Sequence, residues 1–317
     1  MSWRVRMKVA MINDCAFVGE TLLKYLPADI EREHITRSRS LWSKTFGIAW
    51  KVFRTSSDIY HAHYLLQDCY IANRLGKKPL VGHAHGSDLR VSMRHWLWGR
   101  IVRHNLKRCD KILVSTPDVL SQAKSLRDDA EYLPNPVDKA LFYPQPLPSR
   151  REKIKVFIAS DCNWSVKGTD VAIKALSKIR SEVEVSIIGY GVDFERTVAL
   201  ASSLGLRLTT LSRLPHSRIN QYYWDADLVI DRFTLGSLGM VSLEAIACGR
   251  PVLAYVSSEY PENREFPLRD LKDEDEIAHA IKSLPPELWK EEYSFFNKYH
   301  DIDAVESKLL SIYRELS

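Results

Sequence analysis

Residues 226–256 read ADLVIDRFTLGSLGMVSLEAIACGRPVLAYV. ADLVID is a short, apolar, β-branched run that ends on an acid. GSLG (236–239) then supplies two glycines at a turn, and MVSLEAIA continues with helical spacing. Gly249 and Pro251 close that helix before a second apolar run, PVLAYV. Strand, glycine turn, helix and strand make one parallel βαβ unit. The turn offers free N–H groups and the positive end of a helix dipole, which suit a diphosphate. Glu244, inside the helix, is placed to accept hydrogen bonds from ribose hydroxyls. A turn of this kind can also be plain helix packing with Glu244 facing solvent, but the whole string favours a ligand.

The same alternation extends through the chain. Apolar runs fall at MKVAMIN (7–13), EHITRS (33–38), SDIYHAH (57–63), PLVGHAHG (79–86), KILVST (111–116) and EYLPN (131–135). They continue at KVFIAS (155–160), VEVSIIG (183–189) and LRLTTLS (206–212), before ADLVID and PVLAYV. Amphipathic stretches such as GTDVAIKALSKIR (168–180) lie between them. The expected class is α/β, with two doubly wound parallel sheets. Pro134, Pro136, Pro144, Pro146 and Pro148 cannot lie inside a sheet and are read as a linker. The domains are therefore expected at 1–147 and 148–317, with the final helix (305–316) free to pack back onto the first. A chain of 317 residues suits two domains of about 150.

Composition is that of an ordinary globular chain, 45% hydrophobic and 27% charged, which excludes collagen, low-complexity and coiled-coil classes. No apolar run approaches the roughly 20 residues of a membrane span. The N-terminus, MSWRVRMKVAMIN, is too short in its apolar part to read as a signal peptide. The five cysteines are scattered and lack a Cys-x-x-Cys, so they read as reduced thiols of a cytoplasmic protein. Charge is unevenly spread. Residues 1–150 carry 24 Lys+Arg against 14 Asp+Glu, a net +10, whereas the remainder carries 21 against 26, a net −5. Much of the excess lies in RVSMRHWLWGRIVRHNLKRCDK (90–111). Basic residues and tryptophan on one amphipathic helix suit an anionic membrane surface, with about 1 kcal/mol per Lys or Arg. A crossover helix with a core-facing stripe fits too. Nucleic acid is not favoured, because no recognised binding motif is present.

In doubly wound sheets the ligand sits beyond the carboxyl ends of the strands, so the residues following each run are the candidates. In the second half they include Ser160, Lys167-Gly168, Gly189, Gly191 and Ser212-Arg213, then Asp231 through Glu244. Lysine in a strand-to-helix loop can meet a phosphate as a point charge. In the first half they are Asn13-Asp14, Gly19, His61, His63, the stretch His83 to Arg90 with Asp88 inside it, and Asn135. His83 and His85 are read as facing opposite sides of their strand. A histidine cluster also suits zinc.

These strings resemble the retaining, nucleotide-sugar-dependent glycosyltransferases of family 4, glycosyltransferase group 1. YLPNPVDKALFYP (132–144) resembles that family's linker signature. VKGTDVAIKAL, IIGYG, GSLGMVSLEAIACGRPV and the closing NKYHDIDAVESKLLSIYREL (297–316) follow in the family's order. The resemblance implies the GT-B fold, two Rossmann-like domains facing a cleft, with closure about residues 144–150. It assigns the nucleotide diphosphate sugar to the C-terminal domain and a glycan or lipid-linked acceptor to the N-terminal one. It implies catalytic roles for His85, Lys167 and Glu244. Donor contacts are implied at Ser160, Lys167, Gly168, Gly189, Gly191, Ser212, Arg213, Gly236, Ser237, Leu238, Gly239, Met240 and Glu244. Acceptor or cleft positions are Asn13, Gly19, His63, Asp88 and Arg90. No metal and no cofactor beyond the co-substrate are implied. The expected site of action is the cytoplasm, peripheral to the inner membrane face.

The chain departs from the family pattern at three places. The first of the family's two glutamates is Gly236 here. The arginine expected shortly before the phosphate lysine is replaced by Asp161-Cys162-Asn163, so that charge contact is absent, with Arg90, Arg94 and Arg232 as candidates to supply it. The loop after the first strand, NDCAFVGE (13–20), keeps one glycine of two. Two other readings stay open: a degenerate subunit partnering another transferase, and a basic module binding lipid or nucleic acid.

Overall fold

The computed structural model describes residues 7–37, 46–149 and 151–317. The first elements are β1 (Lys8–Ile12), α1 (Val18–Tyr25), β2 (Glu31–Ile35), α2 (Ile48–Arg54), β3 (Ile59–His63), α3 (Gln67–Arg74), β4 (Leu80–Ala84), α4 (Ser87–Arg90), α5 (Trp96–Arg108), β5 (Lys111–Val114), α6 (Leu120–Lys124) and β6 (Glu131–Tyr132). They are followed by β7 (Ile154–Ile158), α7 (Trp164–Lys167), α8 (Thr169–Lys178), β8 (Val183–Ile188), α9 (Phe194–Ser203), β9 (Leu208–Leu211), α10 (Ile219–Asp225), β10 (Leu228–Ile230), α11 (Met240–Ala247) and β11 (Val252–Leu253). The chain closes with α12 (Glu274–Lys282), α13 (Leu288–Tyr299) and α14 (Ile302–Leu316). Each apolar run of the sequence holds one strand.

The chain forms two compact units, Met1–Pro136 with Asp301–Ser317, and Val137–His300. The first holds a six-stranded sheet in the order β2-β1-β3-β4-β5-β6, parallel throughout. The second holds a five-stranded parallel sheet, β11-β10-β7-β8-β9. β3 and β4 are buried along their whole length, as strands covered by helices on both faces must be. In the first unit the chain moves outward from β1 to β2 and then back across to β3. Right-handed crossovers therefore place α1 on one face and α2, α3 and α5 on the other. α1 packs with α14, and α3 packs with both α2 and α5.

The boundary falls at Pro136–Val137, inside the proline-rich stretch, for a physical reason. Val137 and Phe142 enter the core of the second unit. The buried Arg250 donates to the carbonyls of Gln145 (3.0 Å) and Pro146 (2.9 Å), and Trp224 Nε1 donates to Tyr143 O (2.9 Å). Residues 143–146 thus form an extended strap laid along the second unit, where the missing N–H donors of Pro144 and Pro146 cost nothing. α14, last in sequence, belongs to the first unit. Its stripe of Ile302, Val305, Leu309, Ile312 and Tyr313 is buried there, and Asp301 caps its first turn at Asp303 N (2.9 Å). Among the described residues, no helix is long and apolar enough to cross a membrane.

Candidate functional site

Because the strands of the second unit are all parallel, their carboxyl ends share one edge. Ser160 and Asp161 follow β7, Gly189 to Gly191 follow β8, Ser212-Arg213 follow β9, and Asp231-Arg232 follow β10. The loops lock together. Cys162 N donates to Tyr190 O (2.9 Å), Gly189 N to Leu211 O (2.8 Å), and Phe233 N to Lys167 O (2.8 Å). Gly191 lies against the backbone of Cys162, so that glycine serves loop packing. The Arg213 guanidinium lies 5.5 Å from the centre of the Tyr190 ring.

The charged centre of this edge is Asp231. Its Oδ2 accepts from Ser242 Oγ (2.8 Å). Its Oδ1 is buried without a hydrogen-bond partner among the described residues. Lys167 Nζ stands 3.7 Å from that oxygen and 3.9 Å from Asp161 Oδ1. Arg232 Nε stands 3.6 Å from Asp231 Oδ2 and is itself buried without a hydrogen bond. Burial alone raises the pKa of the Asp231 carboxyl, but Lys167, Arg232 and Ser242 together hold it below the usual carboxylate range. Burial pulls the Lys167 ammonium down, against the pull of Asp231. Ser160 Oγ and Thr169 Oγ1 are also buried without hydrogen-bond partners. Buried polar atoms left unmatched at one edge mark a place built for an outside polar group.

The glycine turn explains how Arg232 and Asp231 reach the start of α11. A Cβ on Gly239 would lie 2.1 Å from Arg232 Nη2 and 2.4 Å from Asp231 Oδ2. Only a residue without a side chain lets the guanidinium and carboxylate lie over that helix N-terminus. Gly236 adopts φ +66, and a Cβ there would meet Ser257 Cβ at 2.9 Å. Its carbonyl accepts from Asn263 Nδ2 (2.8 Å) and Ser257 N (3.0 Å). The turn is therefore incompatible with the glutamate that the family pattern has here. Gly236→Glu is expected to bring no gain in turnover and to cost about 1–3 kcal/mol, a fall of roughly 5 °C in melting temperature. Thermal melts of the two proteins check this; an unshifted melt would mean that the turn relaxes.

Glu244 lies on α11 with only 4% of its surface exposed. His216 Nε2 meets its Oε1 at 2.7 Å and Tyr223 OH donates to its Oε2 at 3.0 Å. A carboxylate accepts about four hydrogen bonds, so these two leave it further acceptor capacity. His216 and Tyr223 were not singled out by the sequence. Leu238 belongs to the core, and Met240 opens α11 half-buried.

In the first unit, β3 and β4 bring four buried imidazoles together. His61 Nδ1 meets Tyr313 OH at 2.6 Å, and His61 Nε2 meets His83 Nδ1 at 3.1 Å. His63 Nδ1 meets His85 Nε2 at 2.9 Å. The centres of the His83 and His85 rings are 4.4 Å apart, on one face of the sheet. Residues two apart in a strand share a face, so the expectation of opposite faces misapplied the period. One nitrogen each from His61, His63 and His83 lies within 4.8 Å of the others, which could hold a metal ion. Within this cluster His83 Nε2 is buried without a hydrogen-bond partner among the described residues. Tyr313 was missed because its meeting with His61 depends on α14 returning to this unit.

Burial, reinforced by the neighbouring rings, drives His61, His83 and His85 well below the ordinary imidazole range. Burial pulls His63 down to about 4. The unfolded chain, with imidazoles near 6.5, then binds more protons than the folded one as pH falls. Stability is full above about pH 6.5 and is lost below it, by up to ~1.4 kcal/mol per pH unit per histidine. Melting temperature should therefore drop steeply between roughly pH 6.5 and 4.5. A flat profile would show that the rings are not neutral and buried together.

The remaining first-unit candidates make contacts within that unit. Asn13, at φ +66, offers its carbonyl to His34 Nε2 (3.1 Å). Gly19 lies against His63 and donates its N–H to Asp14 Oδ1 (2.9 Å). Asp88 is buried, and its carboxylate accepts from Leu65 N (3.0 Å) and Leu89 N (3.1 Å). Arg90 is paired with Asp118. Of the three arginines considered for the missing phosphate charge, Arg232 belongs to the second unit and stands beside Asp231; Arg90 and Arg94 belong to the first.

The glycosyl transferases group 1 profile matches residues 142–264, and the glycosyltransferase family 4 profile matches residues 25–141. The chain is 23% identical over 227 residues to an N-acetyl-alpha-D-glucosaminyl L-malate synthase of Bacillus anthracis, covering 66% of this chain and 59% of that protein. It is 28% identical over 244 residues to a GDP-mannose-dependent alpha-(1-6)-phosphatidylinositol monomannoside mannosyltransferase of Mycolicibacterium smegmatis, covering 68% of this chain and 63% of that one. The matches thus span less than two thirds of either relative. A sucrose-phosphate synthase from Thermosynechococcus elongatus has the same fold, with a TM-score of 0.74 at 18% identity over 98% of this chain and 99% of that one. So does HepE of Anabaena, solved with UDP and glucose, with a TM-score of 0.76 at 16% identity over 98% of this chain and all of that one. The fold is that of the GT-B glycosyltransferases.

Proposed function

We propose that this chain, which belongs to the group 1, family 4 type of glycosyltransferases, moves a sugar from a nucleoside diphosphate sugar to an acceptor hydroxyl with retention of configuration. The observation that carries the reading is the Lys167–Asp231–Arg232 cluster over the N-terminus of α11. Two cations share one buried carboxylate that keeps an unmatched oxygen. A diphosphate fits this arrangement, because it would engage both cations and the free N–H groups of the helix start. Arg232 takes the place of the arginine absent from 161–163. Glu244, held by His216 and Tyr223, receives the ribose hydroxyls. His85, neutral and held by His63, hydrogen-bonds the transferred sugar.

In the reaction, the bond between the anomeric carbon and the diphosphate oxygen breaks as the acceptor oxygen bonds to the same face. The acceptor proton passes to the departing diphosphate oxygen. The protein's part is to place the reactants and to stabilise the leaving charge through Lys167, Arg232 and the helix terminus. We assign no metal ion and no cofactor to these steps. The acceptor class is a glycan or lipid-linked hydroxyl, in keeping with the phosphatidylinositol mannoside acceptor in the mycobacterial relative's name. The basic segment 90–111 is assigned to an anionic membrane surface, with action at the cytoplasmic face.

The test is a turnover assay of the full chain with uridine, guanosine and adenosine diphosphate sugars, offered with glycan and lipid acceptors. One donor is expected to release its nucleoside diphosphate only when an acceptor is present, and the product should keep the donor's anomeric configuration. An inverted product would overturn retention. Failure of all donors, with stable capture of another transferase, would favour the degenerate-subunit reading.

A further inference from the structure

The first unit carries a second feature, on its outer helices. α2, α3 and α5 lie side by side on one face of its sheet. The outward stripe of α2 holds Trp50 and Phe53, 60% and 59% exposed, with Phe46 before them at 67%. The rings of Trp50 and Phe53 stack with centres 6.0 Å apart, and the Arg54 guanidinium lies 5.8 Å from the centre of the Trp50 ring. α5 repeats the pattern. Trp96 is 69% exposed, and the Arg100 guanidinium lies 5.9 Å from the centre of its ring. Arg103 and Lys107 continue the same stripe and are exposed. No acidic residue occurs from Phe46 to Ser57 or from Arg90 to Cys109. Asp68, on α3 between them, is buried and paired with Arg37.

Crossover helices run antiparallel to their strands, so α2 and α5 both begin at the carboxyl edge of the sheet. The exposed aromatic rings at their first turns therefore gather at the edge that also carries His85. The cations follow behind, toward the other end. Soluble proteins seldom leave this much aromatic surface open without a use. Rings at one end and Arg and Lys beside them match an interface where aromatics enter the headgroup layer and cations meet anionic lipid.

We propose that the outer face of α2, α3 and α5 docks on an anionic lipid bilayer, with Trp50 and Trp96 entering the interface and Arg54, Arg100 and Arg103 meeting the headgroups. The sequence pointed to residues 90–111 alone; the structure adds α2, and with it an edge-on orientation that brings the His85 edge to the membrane. The proposal rests on that basic segment and not on the transfer reaction, so it can fail while turnover stands.

The experiment is co-sedimentation of the full chain with phosphatidylcholine vesicles, with and without phosphatidylglycerol, in low and high salt. Wild type should bind the anionic vesicles, bind neutral ones far less, and release in salt. Arg100→Glu with Arg103→Glu should lower the partition at least about a hundredfold. Trp50→Ala with Trp96→Ala should lower it about tenfold or more. Both pairs change exposed residues, and unshifted thermal melts will show that folding is intact. Equal binding by wild type and both variants, or no preference for anionic vesicles, would overturn the proposal. So would loss in these variants of self-association or of single-stranded oligonucleotide binding while vesicle binding is unchanged.

Discussion

Lys167→Ala should lower kcat/KM by about 10²- to 10³-fold, a loss of about 2.7–4 kcal/mol of transition-state stabilisation. The reasoning starts from placement. Lys167 ends α7, its carbonyl holds Phe233 N at 2.8 Å, and its ammonium is turned inward to 3.7 Å from Asp231. A surface lysine would contribute far less, because water screens it. Lys167 has a side chain only 14% exposed, so its charge acts through little solvent. The loss should fall on kcat as well as KM, since charge on the diphosphate grows as the sugar leaves. Lys167→Arg should recover part of the rate. A rate within twofold of wild type for Lys167→Ala would remove the phosphate assignment.

The second large effect concerns stability. Asp231→Ala deletes the one carboxylate that both cations share and strands Lys167 and Arg232 beside each other over the positive end of α11. Breaking a buried ion pair by removing one partner typically costs about 3–5 kcal/mol. For a unit of this size that corresponds to a drop of roughly 10 °C in melting temperature. The same variant should regain more stability from a nucleoside diphosphate than wild type does, because the ligand then supplies the missing anion. Melts with and without nucleotide check both statements. An unchanged melting temperature would mean that the cluster is open to water and not a buried electrostatic unit.

The fold was legible because parallel strands buried on both faces write themselves as short apolar runs, and all eleven such runs hold strands. The edge of the second unit was legible for a related reason. Its loops directly follow those runs, so Ser160, Lys167, Asp231 and the glycine turn could be placed by counting. Interactions between distant segments were not readable. His216 and Tyr223 reach Glu244 from 28 and 21 residues away, and Tyr313 reaches His61 across 252. Nothing in local spacing encodes such meetings. The proline-rich strap misled for another reason. Proline reports that a segment is neither helix nor sheet, but not which unit its carbonyls bind; Arg250 decided that. The aromatic stripe of α2 passed unnoticed because exposure, not composition, is what sets it apart.

The central claim is that the edge formed by Lys167, Asp231, Arg232 and the start of α11 binds the diphosphate of a nucleotide sugar. The direct measurement is a thermal shift of the full chain with uridine, guanosine and adenosine diphosphates, repeated on Lys167→Ala. At a hundred times its dissociation constant, a bound nucleotide stabilises by about 2.7 kcal/mol. One of the three should raise the melting temperature of the wild type accordingly, and the shift should vanish in the variant. If none of the three moves the wild type, or if the shift survives intact in Lys167→Ala, the site is not a diphosphate site.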